Sequence, residues 1–191
     1  MQELITRAKE LLADGTVSRV LGWKKGDLGW DPEPAWFEKE EDLEGFVYNP
    51  YCGANLSKYL IAAGKLEGRT LVFLKPCDTY SFNQLVKEHR VKKEKTYIIG
   101  VGCRGTLDPE KVRAAGMKGI EDAAVDGETL KVATLYGEKE MPLKDALLDR
   151  CLVCKGKTHV AYDELIGAQA GEEAGPGELA GDRFAGVERL E

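Results

Sequence analysis

Thr70-Leu71-Val72-Phe73-Leu74-Lys75-Pro76-Cys77-Asp78-Thr79 and Thr96-Tyr97-Ile98-Ile99-Gly100-Val101-Gly102-Cys103-Arg104-Gly105 decide the fold. Each stretch opens on an apolar, β-branched run, breaks at Pro or Gly, and carries a cysteine at the break. Short continuous apolar runs read as strands buried on both faces, as in parallel sheets. The strands are expected over Thr70–Lys75 and Thr96–Gly102. A helix follows the first at Thr79–His89. After the second, Asp108 caps and Pro109 opens a short helix to Ala115. Upstream, Phe46–Asn49 reads as a further strand, and Pro50-Tyr51-Cys52-Gly53 turns into a helix over Ala54–Ala63. This alternation predicts an α/β fold: a parallel or mostly parallel sheet with helices on both faces and cysteines at the strand-to-helix turns.

The flanks are simpler. Leu4, Ile5, Ala8, Leu11 and Leu12 share one face of a helix over residues 2–13, and Val17–Trp23 reads as a short strand. Lys24–Glu44, rich in Pro, Gly and acid, reads as a surface loop or short edge element. Asp126-Gly127 turns a hairpin whose second strand is Leu130–Tyr136, and Met141–Arg150 reads as a helix that delivers Cys151-Leu-Val-Cys154. Beyond Gly167 the composition is that of a flexible linker, with only Phe184, Val187 and Leu190 suggesting a helical contact. The expected organisation is one α/β domain over 1–166 and a linker-like tail over 167–191.

The chain has 191 residues and a net charge of −6. That charge speaks against a general nucleic-acid or anionic-membrane surface. No apolar stretch approaches the ~18 residues of a membrane span, and the amino terminus lacks signal-peptide features. The expected setting is cytoplasmic, where five cysteines do not form a disulfide framework.

Cys52, Cys77 and Cys103 recur at near-equal intervals. If the runs before them are neighbouring parallel strands, all three emerge on one sheet edge. A cysteine at a helix N-terminus faces unsatisfied N–H groups, which favour the thiolate that binds metals. Three such sulfurs with a flexible C-x-x-C could surround one site. Lys75, Arg104, Arg150, Lys155 and Lys157 lie near them in sequence and could offset the charge of a thiolate-ligated cluster. A soft all-sulfur site selects zinc or iron–sulfur. Structural zinc usually takes two close-spaced pairs, and here there is one. Only His89 and His159 could add imidazole, and His89 falls on a charge-rich helix and reads as exposed. The pattern favours a [4Fe–4S] cubane with four thiolates, one sulfur being surplus. Cys151 and Cys154 would also suit a redox dithiol.

Leu74-Lys-Pro-Cys77-Asp78, Ile99-Gly-Val-Gly-Cys103-Arg-Gly105 and Arg150-Cys-Leu-Val-Cys154, followed by Ala161-Tyr-Asp163, resemble the beta-subunit family of coenzyme F-420 hydrogenases and dehydrogenases. Most similar are its short relatives in hydrogenase and heterodisulfide-reductase-like systems, where a segment like Tyr48-Asn-Pro-Tyr-Cys52 also occurs. The resemblance runs from about Val17 to Gly167. It implies Cys77, Cys103, Cys151 and Cys154 as cluster ligands, with Cys52 the surplus thiol shared with the short relatives only. It also implies electron passage between the cluster and a flavin or deazaflavin. Larger members carry a further flavin and coenzyme domain for which 191 residues leave no room, and Asp182–Glu191 resembles a linker that precedes a ferredoxin-like segment in short relatives.

The expected function is therefore an iron–sulfur electron-transfer subunit of a cytoplasmic redox complex. Its partners would be redox proteins carrying flavin, ferredoxin-type or nickel–iron centres, with neither nucleic acid nor membrane. FAD could bind this chain if Gly102, Arg104 and Gly105 cradle its phosphate through backbone N–H groups, although a tight turn around Cys103 explains those glycines equally well. A zinc-stabilised adaptor and a thiol redox protein using Cys151 and Cys154 are the alternatives.

Overall fold

The computed structural model describes residues 1–156 and 158–167. The chain runs α1 (Gln2–Ala13), β1 (Arg19–Lys24), β2 (Glu33–Phe37), α2 (Leu60–Ala63), β3 (Thr70–Leu74) and α3 (Pro76–Lys87). It continues through β4 (Thr96–Val101), α4 (Pro109–Ala114), β5 (Ile120–Asp126), β6 (Thr129–Thr134) and β7 (Gly137–Pro142). Two single helical turns, α5 (Leu143–Ala146) and α6 (Asp149–Leu152), lead to β8 (Glu164–Ile166).

The fold is α/β with a mixed main sheet, ordered β2-β1-β3-β4-β8. β1, β3, β4 and β8 run parallel, and β2 lies antiparallel along β1 at one edge. Every residue of β3 is buried, as its unbroken apolar run requires of a central strand. β2 occupies part of the stretch anticipated as a loop or edge element, and its Pro34 suits an edge position, where a missing N–H breaks no inner ladder. The second sheet is an antiparallel meander, β5-β6-β7, whose first turn uses Gly127 at φ +58°.

Three elements differ from the sequence expectation. Residues 46–49 form no strand: Phe46 makes an isolated bridge with Lys24, the Val47 N–H donates to the Trp23 carbonyl, and Tyr48 packs on the Trp23 ring. The bridge uses the edge that β1 leaves free past its pairing with β3, which ends at Leu21–Val72, and the chain bends away at Asn49-Pro50 before a ladder can form. Second, the helix anticipated over 54–63 is a 3-10 turn, Leu56–Tyr59, followed by the four-residue α2. Asn55 caps the turn by accepting from the Ser57 N–H, which fixes its start after Gly53-Ala54. Third, the long helix expected over 141–150 is divided between the end of β7, α5 and α6. Leu143, Ala146 and Leu147 each pack into the core under the second sheet, holding the chain in two separate turns.

Two buried cores result. One lies on the main sheet, around Trp23, Phe46, Phe73 and Phe82, and the other lies under the meander, around Leu107, Val112, Leu130 and Val132. Among the described residues, no helix is long and apolar enough to cross a membrane. The tail expected over 167–191 lies, beyond Gly167, outside the described residues.

Candidate metal centre

The site begins with strand register. Leu74 of β3 pairs with Gly100 of β4, and Cys77 and Cys103 each follow three residues later. The two chains therefore leave the sheet side by side, at one height. Pro76 fixes the backbone for the first turn of α3 and lacks the N–H that such a position leaves unpaired. The helix thus starts three residues earlier than anticipated, and Cys77 stands inside its first turn. Cys103 lies in the loop leaving β4, well ahead of α4. Cys52 follows the bend and turn at Asn49-Pro50 rather than a strand.

The C-x-x-C comes to the same place through two close approaches. Gly105, at φ +107°, brings its backbone so near α6 that a Cβ there would lie 2.8 Å from Leu147 and 3.3 Å from Cys151. A Cβ on Gly156 would lie 3.2 Å from the Cα of Cys77. Only glycine allows both crossings comfortably. Past the C-x-x-C, His159 is buried, with Nε2 2.9 Å from the Leu74 carbonyl, and its ring packs on Gly100. Asp163 accepts from the Ile98 N–H at 2.8 Å and donates its own N–H to the Ile98 carbonyl. These bonds pin the chain after the C-x-x-C onto β3 and β4.

Cys77, Cys103, Cys151 and Cys154 line one cavity of about 760 Å³. Among the described residues, no group of three or more His, Cys, Asp or Glu side chains that could hold a metal ion is assembled as the side chains stand. The four sulfurs surround a space rather than converge on a point. Thr106 donates its N–H to Cys151 Sγ at 3.3 Å, and the Gly105 N–H is directed at the Cys103 sulfur. Burial pushes the Cys77 thiol up to about 12, with Asp78, Cys103 and Cys154 adding in the same direction and Lys75 opposing. Cys77 is open to the cavity as a residue, yet protein crowds its sulfur enough for desolvation to dominate. Burial also raises the Cys103 thiol, with Cys151 and Asp78 adding to it and Lys75 and the Gly105 N–H opposing. Cys77 and Cys103 therefore hold their protons more tightly than free thiols do, and a metal would have to displace them.

Cys52 stands apart from this group. It is 2% exposed, belongs to the main core and does not line the four-cysteine cavity. Its sulfur accepts from the Asn49 N–H at 3.4 Å, and burial raises the thiol to about 11. It faces instead a space of about 160 Å³, shared with Gly102, Arg104 and Gly105. The Gly102 carbonyl there accepts from the Tyr48 hydroxyl at 2.7 Å. That space is smaller than the ~300 Å³ at which ligand pockets usually begin.

Among the cations, Lys75, Arg150 and Lys155 line the four-cysteine cavity, joined by Lys58. Lys157 lies outside the described residues. His89 is exposed at φ +58°, just past the end of α3, as a residue that stops a helix rather than binds a metal. Sequence reasoning missed the work of Gly156, His159 and Asp163. The spacing from the C-x-x-C gave no sign of where they would dock.

An α/β domain with this topology has a solved counterpart. A chain of the F420-reducing [NiFe] hydrogenase complex from Methanosarcina barkeri, in a xenon-derivatised structure, superposes with a TM-score of 0.62 at 16% identity, over 80% of this chain and 62% of that one. Among curated proteins, the beta subunit of F420-dependent formate dehydrogenase 1 from Methanococcus maripaludis is 30% identical over 102 residues, 53% of this chain. The beta subunit of F420-dependent formate dehydrogenase from Methanocaldococcus jannaschii is 29% identical over 101 residues. The likeness to the coenzyme F-420 hydrogenase and dehydrogenase beta-subunit family is therefore borne out. The matched stretch spans about a quarter of those relatives' length (26% and 27%). No family model matches the chain.

Proposed function

We propose that this chain is an iron–sulfur electron-transfer subunit of a cytoplasmic redox complex, with Cys77, Cys103, Cys151 and Cys154 holding a [4Fe–4S] cluster. The observation that carries the reading is the shared cavity: four thiols from three separate segments border it, and the fifth does not. A cubane gives each iron its own cysteine, so its ligands stand around the group rather than crowd a single ion. A ring of sulfurs about a space of 760 Å³ suits that requirement better than tetrahedral zinc, which needs all four within ~2.3 Å of one point.

When bound, such a cluster takes up and returns single electrons. The chain's own groups would serve it by fixing the ligands. The Thr106 N–H bonds to the Cys151 sulfur, an interaction that adjusts cluster potential. Gly105 and Gly156 hold the loops in contact. The curated relatives are named as subunits of F420-dependent dehydrogenases, which supports a redox partner bearing a flavin or deazaflavin. For a flavin on this chain, the space beside Gly102, Arg104 and Gly105 is small, about 160 Å³, and the Gly102 carbonyl there is taken by the Tyr48 hydroxyl.

Anaerobic purification tests the proposal. The expected product is brown, absorbs broadly near ~400 nm, contains about four irons per chain, and gives an electron paramagnetic resonance signal when reduced by one electron. Colourless protein with one zinc would make it a structural adaptor. Folded, active, metal-free protein would make it a dithiol redox protein.

A further inference from the structure

Lys75 follows β3 directly, and its ammonium is buried, the residue being 4% exposed. Nζ donates to the Cys52 carbonyl at 3.0 Å and the Ala54 carbonyl at 2.9 Å, and lies 3.1 Å from Asp78 Oδ2. The Trp23 ring lies beneath it at 4.9 Å. Asp78 is equally buried, at 3%. Its Oδ1 lies 3.7 Å from Cys77 Sγ, and its Oδ2 has no hydrogen-bond partner among the described residues apart from the ion pair with Lys75. Lys75 and Asp78 both line the four-cysteine cavity.

A carboxylate beside a ligand sulfur is a poor neighbour for a centre made of thiolates. The two like charges repel, and the Asp78 carboxylate is buried, so little water reaches it to screen them. The chain nevertheless fixes one there and sets a buried lysine against it. We infer that Lys75 and Asp78 form a charge lock: the lysine neutralises Asp78 so that Cys77 can ligate, and the balance of the pair sets the potential of the bound cluster. This rests on the cluster reading above. Lys75 is a positioning residue here, because it acts on Cys77 through Asp78 and not by touching the metal.

The lock makes a signed prediction that a purely structural lysine does not. Lys75→Met leaves the carboxylate unopposed, which disfavours the added electron and lowers the reduction potential. Asp78→Asn leaves the ammonium unopposed and raises it. Lys75→Met/Asp78→Asn removes both charges, leaves no unpaired buried ion, and returns the potential close to that of the unsubstituted protein.

The experiment is a double-mutant cycle on the full-length, cluster-loaded chain, read by potentiometric titration of the reduced-cluster signal and by iron content. Opposite shifts in the single variants with recovery in the double variant support the lock. If Lys75→Met loses its iron, retention of iron in the double variant supports it as well. Shifts of the same sign, no shift in either single variant, or a double variant as impaired as Lys75→Met would overturn it. Iron in the unsubstituted protein separates the two ideas: its absence defeats the cluster reading, whereas its presence with any of those three results defeats only the lock.

Discussion

Two groups of cysteine share this chain and are treated oppositely. Cys52 is packed in the apolar core of the main sheet, its sulfur accepting from the Asn49 N–H. Cys77, Cys103, Cys151 and Cys154 line an open cavity together with Lys58, Lys75, Arg150 and Lys155, and the Thr106 N–H donates to the Cys151 sulfur. The contrast teaches that proximity in sequence is a poor guide to a sulfur's role. Cys52 stands three residues before the Asn55 cap of a helical turn and Cys77 inside the first turn of α3, yet the Cys52 sulfur fills space. What separates them is the strand before each. β3 and β4 are registered neighbours that launch Cys77 and Cys103 together, while residues 46–49 join no ladder.

The largest effect that could break this contrast is loss of the centre. Serine at Cys77, Cys103, Cys151 or Cys154 is expected to reduce bound iron from about four per chain to a small fraction, because a cubane needs all four thiolates. Iron analysis after anaerobic reconstitution checks this. Gly105→Ala comes next. Its Cβ would meet both Leu147 methyls at 2.8 and 3.0 Å from a backbone at φ +107°. A cost of about 1–3 kcal/mol in stability is expected, together with weaker cluster retention, measurable by urea denaturation of the loaded protein.

Cys52→Ser should leave iron content intact and cost about 1–2 kcal/mol, the penalty of a hydroxyl in an apolar site. The same variant sharpens the contrast through pH. Free thiols ionise near ~8.5, whereas buried Cys52 holds its proton to about 11. Between those values the unfolded chain binds fewer protons, so stability of the metal-free protein falls as pH rises. Denaturation at pH 8 and pH 10.5 should show this loss, reduced in Cys52→Ser. The smallest effect lies far from either group. Arg7 of α1 pairs with Glu164 of β8 at 2.6 Å, part-exposed, and Glu164 also accepts from the Tyr97 hydroxyl. Glu164→Gln should cost under about 1 kcal/mol and leave iron unchanged, as denaturation and iron analysis would show.

Much of the fold was legible where pattern and packing agree. The runs at 70–74 and 96–101 became central parallel strands because nothing but burial suits the four and five consecutive apolar residues that follow their opening threonines. The Asp108-Pro109 cap opened α4 as its chemistry dictates, Asp108 accepting from the Glu110 N–H at 2.9 Å. β2 could be anticipated only as an edge element, since it is short and mostly open to solvent and its Pro34 masks strand character. The single helix read over 141–150 failed because tertiary contacts of Leu143 and Leu147 outweighed local periodicity. At the site, the cysteines were legible as a set because sulfur is scarce. The devices that join their loops were not. Gly156 reads as any loop glycine until its contact with Cys77 is seen, and Lys75 reads as a surface cation until Asp78 and two carbonyls are found around it.

The most direct test is iron and acid-labile sulfide per chain in the anaerobically reconstituted protein, measured side by side for the unsubstituted chain, Cys52→Ser and Cys77→Ser. About four of each is expected for the first two, and little for the third. Equal loss in Cys52→Ser and Cys77→Ser, or a single zinc in place of iron, would contradict the account.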